Sequence, residues 1–148
     1  MEMLEALGKG TTRDDRFKII HAIGDEKVLT LAYELIKSKQ GNMTKGTDKS
    51  TLDGMSIKWI RAVAKEIKGG KFRFTPSHRT YIPKPNNPKE RRPLSIANPK
   101  EKVVQKAIEL CLNAIYEPTF TEHSHGSRPQ KGNHTALKYV KQKFKSAQ

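Results

Sequence analysis

Apolar positions recur at helical spacing in four places along the chain. From Lys27 to Lys39, Val28, Leu31, Ala32, Leu35 and Ile36 fall on one face. From about Leu52 to Lys68, Trp59, Ile60, Val63, Ala64 and Ile67 do the same, and Gly69-Gly70 supplies a C-terminal stop. Asn98-Pro99-Lys100-Glu101 has the form of a helix start, with an Asn cap, proline at the first helical position and Glu three residues after the cap. The helix that follows is expected to bury Val104, Ala107, Ile108, Cys111 and Ile115 and to end before Pro118. A last helix begins near Asn133, with Ala136, Leu137, Val140 and Phe144 as its stripe and Lys138, Lys141, Lys143 and Lys145 around it.

Between the second and third helices the pattern changes. Lys71 to Pro83 reads as extended, because Pro76 and Pro83 exclude a continuous helix. Pro85-Asn86-Asn87-Pro88 is a turn, and Arg92 to Ile96 is the return strand, with Leu94 and Ile96 on one face. Gly41, Asn42, Gly46 and Asp48 form a loop, in which Asp48 and Asp53 read as turn and cap residues. Residues 1–26 are weakly patterned and predict a polar arm with a short helix. The fold class predicted is α+β: helices packed around a small antiparallel β-hairpin, in one body over 27–148 behind the arm.

The 148 residues suffice for one domain or a piece of a larger one. With 34% apolar residues and a mean hydropathy of −0.75, the core is thin for this length. Charge sharpens the picture more. The net charge is +14, and it is lopsided: residues 1–70 carry +3 and residues 71–148 carry +11. A field this one-sided selects a polyanion, and no apolar run approaches membrane-spanning length, so nucleic acid is favoured over a membrane. Lys71, Arg73, His78, Arg79, Lys84, Lys89, Arg91 and Arg92 fall within 22 residues, interleaved with Phe72, Phe74 and Tyr81. Alternate residues of a strand share a face, so Arg79 and Tyr81 can offer a cation and a stacking ring together, which suits a phosphate and an unpaired base. The bland alternative is a solvated basic face with its aromatics in the core.

Other chemistry is thinly represented. The single cysteine, Cys111, allows no internal disulfide and reads as a small buried residue. His123, His125 and His134 lack a cysteine or aspartate nearby, so loop hydrogen bonding or phosphate contact is expected rather than zinc. No cofactor is implied. Neither a signal nor a transit peptide is legible at the start, and the sequons at Asn42 and Asn133 read as accidental.

Four ordered segments resemble one family. They are Arg79-Thr80-Tyr81-Ile82-Pro83-Lys84-Pro85, Arg91-Arg92-Pro93-Leu94-Ser95-Ile96, Lys102-Val103-Val104-Gln105, and Ser124-His125-Gly126-Ser127-Arg128-Pro129. Their order and spacing resemble the fingers region of group II intron reverse transcriptases, the maturases, and especially the mitochondrial branch. Tyr116-Glu117-Pro118 with Phe120 joins this resemblance. Lys45-Gly46-Thr47-Asp48 followed by Thr51-Leu52-Asp53-Gly54 is similar to the family's extra N-terminal block, whose loop closes over the template. The likeness runs over roughly residues 27–145. It implies RNA contact by Lys71, Arg73, His78, Arg79, Tyr81, Lys84, Arg91, Arg92, Arg128 and Lys131, with Arg128 near an incoming triphosphate. The family's Gly-Phe-Arg-Pro reads Gly126-Ser127-Arg128-Pro129 here, so a packed aromatic is expected to be missing.

In that family two magnesium ions are held by aspartates. The last aspartate here is Asp53, and from residue 71 the acids are Glu90, Glu101, Glu109, Glu117 and Glu122, no two in one short motif. The expectation is therefore an RNA-gripping piece without the catalytic strand, not an enzyme as a stand-alone chain. It would act with intron RNA and other proteins of a ribonucleoprotein particle, in the mitochondrial matrix and from an organelle gene. The alternatives are a structural protein of a mitochondrial ribosome, bound to ribosomal RNA and derived from a degenerate maturase, or one half of a split maturase completed by a second chain.

Overall fold

The computed structural model describes residues 2–8, 15–39, 45–47, 49–53 and 55–144. Within them, α1 (Glu2–Gly8), α2 (Arg16–Ile23), α3 (Glu26–Lys37) and α4 (Ile57–Lys68) precede a hairpin of β1 (His78–Lys84) and β2 (Asn87–Ile96). Then come α5 (Pro99–Tyr116), a 3₁₀ turn at Glu117–Thr119 and α6 (Asn133–Lys143). The class is α+β, with six helices and one two-stranded antiparallel sheet. Gly41, Asn42, Asp48, Gly54 and Lys145, assigned above to loops and to the last helix, lie outside the described residues.

Helix α5 is the axis of the body. Val103, Val104, Ala107 and Cys111 on it are essentially solvent-free, and α1, α2 and α3 pack against it while α4 closes over α2 and α3. The segment expected to be an arm therefore belongs to the packed body: its two helices place Leu7 and Ala22 in the core. The sequence pattern missed this because helices this short show only one or two buried positions each. At the α2–α4 crossing a Cβ on Gly24 would stand 2.9 Å from Lys68 Cγ and 3.2 Å from the Ala64 carbonyl, so the small residue sets how closely the helices approach.

Helix α3 buries Val28, Leu29, Ala32 and Ile36, while Leu35 is left 42% exposed. The stripe is rotated from the predicted one because the helix faces α5 and α4 at once. Asp25 caps it, accepting from the Lys27 and Val28 amides at 2.9 and 3.2 Å. Helix α4 starts at Ile57, not near Leu52, because the Ser56 hydroxyl accepts from the Trp59 amide and fixes the first turn there. Leu52 instead plugs the core from the preceding loop at 2% exposure. At the other end Gly70 adopts φ +67°, with Gly70 N–H on the Ile67 carbonyl and Lys71 N–H on the Glu66 carbonyl. This paired arrangement ends the helix at the Gly-Gly step and turns the chain toward the hairpin.

The helices pack around one another rather than around the hairpin, which corrects the predicted architecture. Among the described residues neither strand shares an extended packing surface with any helix, so the sheet projects from the body. The strands turn through Pro85-Asn86, and β2 carries a bulge between Asn87 and Arg91. Pro88, which has no amide to donate, sits in that bulge. Residues 71–77 belong to neither a helix nor a strand. The predicted stripe of α6 is not buried either: Leu137, Val140 and Phe144 are 67%, 50% and 66% exposed. Among the described residues no helix is long and apolar enough to cross a membrane.

Candidate nucleic-acid interface

Strand register decides which hairpin side chains act together. Arg79 pairs with Ser95, Tyr81 with Pro93 and Pro83 with Arg91. These six share one face, and all six are exposed. Arg91 is the diagonal neighbour of Tyr81 across the ladder, and Arg79 lies two residues before it, so two arginine positions flank one tyrosine position on this face. Tyr81 is 55% exposed. Neither arginine meets an acceptor within the described chain, so both keep their full donor set. The other face carries His78, Thr80, Ile82, Arg92, Leu94 and Ile96, of which Thr80, Ile82 and Ile96 are half-buried. Arg92, adjacent to Arg91 in sequence, is thus turned away from the Arg79–Tyr81–Arg91 surface.

The remaining sequence candidates fall into different settings. Lys84 is ion-paired with Glu90. Arg73 folds back, donating Nη1 to the Gly70 and Phe72 carbonyls at 2.9 and 2.8 Å. Lys71 is exposed, and Lys131 Nζ donates to the Glu122 carbonyl at 3.1 Å. Phe72 and Phe74, which precede β1, meet edge to face with centroids 5.1 Å apart, and Phe72 packs on the core, so Tyr81 is the one Phe, Tyr or Trp on the two strands.

Asn98 and Glu101 do more than begin a helix. Asn98 holds the cap position and Pro99 the first turn, but no side-chain cap bond forms. Instead Asn98 Oδ1 accepts from the Thr47 amide and hydroxyl at 2.7 and 2.9 Å, and its Nδ2 donates to the Thr75 hydroxyl. The buried Glu101 carboxylate accepts from the Thr75 amide and hydroxyl at 2.7 and 2.6 Å. The predicted capping box is therefore a clasp between α5, the loop at Thr47 and the root of the hairpin at Thr75. Sequence spacing found both residues but could not show that their partners lie 23 to 51 residues away.

Arg128 is set apart from the hairpin cations. Its side chain is 9% exposed, Nε and Nη2 both reach Glu117 Oε1 at 3.0 and 2.6 Å, and Nη1 donates to the Thr121 and Ser124 carbonyls. The guanidinium also lies 5.1 Å from the Phe120 ring centroid. Hydrogen bonding to Arg128 holds the Glu117 carboxyl below the usual carboxylate range, against some desolvation. This cation folds the 117–128 loop. Ser127 is exposed at φ 55°, so no packed aromatic site exists at that position. His125 Nδ1 lies 2.9 Å from the Thr135 hydroxyl, and the His123 and His125 rings meet Tyr139 at tilted angles, which ties the loop to α6. No group of three potential metal ligands occurs among the described residues. Burial, reinforced by the Asp25 charge, pushes the Cys111 thiol up to about 11.

No protein-family model matches the chain. Individual proteins do. It is 41% identical over 120 residues to the COX1/OXI3 intron 2 protein of Saccharomyces cerevisiae, a match covering 81% of this chain and 14% of that protein. It is 36% identical over 150 residues to the group II intron-encoded protein LtrA of Lactococcus lactis, covering 99% of this chain and 25% of that protein. A shorter match, 42% over 45 residues, covers 30% of this chain and 6% of the mitochondrial protein ymf11 of Marchantia polymorpha. The chain thus spans no more than a quarter of the length of these relatives.

Proposed function

We infer, for a chain homologous over most of its length to a segment of group II intron-encoded proteins, that it grips structured RNA as the fingers piece of a maturase-like protein. The observation that carries this reading is the exposed Arg79–Tyr81–Arg91 face, two arginines without a partner among the described residues and one tyrosine, on a single face of a projecting ribbon. Guanidinium binds phosphate oxygens with paired donors, and a phenol ring stacks an unpaired base. A hairpin free of the helical body can reach into a groove that the body cannot enter. Intron RNA is the partner we propose, and the name of the Marchantia relative supports a mitochondrial setting.

On this reading the chain binds and does not catalyse. Two-metal nucleotidyl transfer needs carboxylates that converge. The acids after residue 71 are dispersed and engaged: Glu90 with Lys84, Glu101 with Thr75, Glu109 with Lys106, Glu117 with Arg128 and Glu122 beside His123. Filter binding of a structured intron RNA at increasing salt tests the reading. With about six phosphates neutralised, the log–log slope should be near −4 to −5. A flat salt response would overturn it.

A further inference from the structure

Apolar side chains are exposed on the side of the body where α2 meets α5. Between these helices, the end of α4 and the connector to β1 is a cavity of about 190 Å³. Ile20, Ile23, Ile67, Phe72, Phe74 and Ile108 form its walls. Ile20 and Phe74 are 40% and 48% exposed, and Phe17, one turn before Ile20 on α2, is 82% exposed. The volume falls short of the ~300–1,000 Å³ of small-ligand sites but exceeds the ~150 Å³ that holds a benzene ring. It has room for one bulky apolar side chain. The charge around it has a single sign. Among the described residues Arg73 lines it and no carboxylate does. Lys71 is exposed beside Phe72, and the Lys68 side chain lies against Gly24, next to Ile23. Neither lysine is ion-paired among the described residues.

We propose that this groove docks an acidic amphipathic helix of a partner protein, which inserts one leucine or aromatic side chain into the cavity and sets its carboxylates against Lys68 and Lys71. The proposal goes beyond the RNA-binding reading and does not depend on it. A helix presents apolar anchors at i, i+4 and i+7, so one fills the cavity while its neighbours rest on Phe17 and Phe74. Charge complementarity selects an acidic partner for a basic rim. RNA suits the groove poorly. Arg73 Nη1 is already committed to the Gly70 and Phe72 carbonyls, so a base among the isoleucines and phenylalanines would leave its polar edge atoms unpaired. A second copy of the chain suits it no better. The exposed stripe of α6, Leu137, Val140 and Phe144, is surrounded by Lys138, Lys141 and Lys143, and docking it here would set like charges together.

Fluorescence anisotropy of a labelled peptide of about 16 residues, titrated with the full chain at about 0.15 M salt, tests this. The peptide is Glu and Ala throughout, with Leu, Phe and Leu at i, i+4 and i+7. It should bind saturably, and the same residues in scrambled order, equal in charge but without an apolar face, should not. Ile20→Glu/Phe74→Glu, at exposed positions, should weaken binding about thirtyfold with the melting curve unchanged. Lys68→Glu/Lys71→Glu should weaken it about tenfold, and decides the matter even where the first variant does not fold. Leu137→Glu/Val140→Glu, on the other exposed stripe, should change nothing. No saturable binding, equal binding of the scrambled peptide, or indifference to the groove variants would overturn the proposal. A peptide with Lys in place of Glu that bound as tightly would overturn the acidic partner. Dimers of the unaltered chain in sedimentation, separated by Ile20→Glu/Phe74→Glu, would give the groove to a second copy instead. Loss of filter-bound structured RNA by that variant, still folded, would give it to RNA.

Discussion

In Arg128 the guanidinium is engaged inside the chain, on one carboxylate and two carbonyls, whereas Arg79 and Arg91 are exposed and meet no acceptor among the described residues. The three look alike in sequence, and all were candidate RNA contacts. What separates them is Glu117, eleven residues before Arg128 and brought to it by the turn at Glu117–Thr119. Arg128→Ala should therefore act on stability, costing the ~1–3 kcal/mol of leaving partly buried acceptors unpaired. The midpoint then falls by about 2–4 °C per kcal/mol in a chain of this size. Because the folded Glu117 carboxyl is held below its ordinary 4.5, the unfolded chain binds more protons around and below that pH. The ion-pair contribution is present above pH 4.5 and is lost as pH falls through the folded value. Melting curves of both chains at neutral and acid pH should converge in part, with the carbonyl bonds keeping the remainder; a gap unchanged by acid would show that the carboxylate contributes nothing.

At the scale of elements, the helical periods of α3, α4 and α5 and the proline-bounded hairpin were legible because each pattern is local. Which way a helix faces was not. Leu29 replaces Leu35 in the core because α3 touches two neighbours, and Leu137, Val140 and Phe144 remain outside because no described helix or strand shares an extended contact with α6. The clasp at α5 was half legible: Asn98 and Glu101 carry the signature of a helix start, but their acceptors serve Thr47 and Thr75. It follows that Glu101→Ala should loosen the root of the hairpin and cost about 1.5–3 kcal/mol, since two donors lose a charged acceptor. Lys102→Ala, one position away, should leave the midpoint in denaturant where it was. Equal midpoints for the two variants would mean that Thr75 is not fastened through Glu101.

For the whole molecule, charge asymmetry was the clearest message of the sequence, and the fold gives it a shape: a helical body with a basic ribbon standing out from it. The arm expected over residues 1–26 was misread, since Leu7 and Ala22 help to close the body on α5. With its carboxylates dispersed, the chain should show no magnesium-dependent DNA synthesis on any primed template. Primer extension by a polymerase-free preparation would place the chemistry within these residues after all.

The central claim is that the Arg79–Tyr81–Arg91 face holds RNA, and salt-dependent binding of the Arg79→Ala/Arg91→Ala chain tests it most directly. Each phosphate contact removed reduces the log–log slope by about 0.9, so the double variant should lose close to two units of slope and bind about 2–6 kcal/mol more weakly at low salt. The Arg92→Ala chain, altered on the opposite face, serves as the comparison and should lose much less. A double variant with the slope and affinity of the unaltered chain would contradict the account.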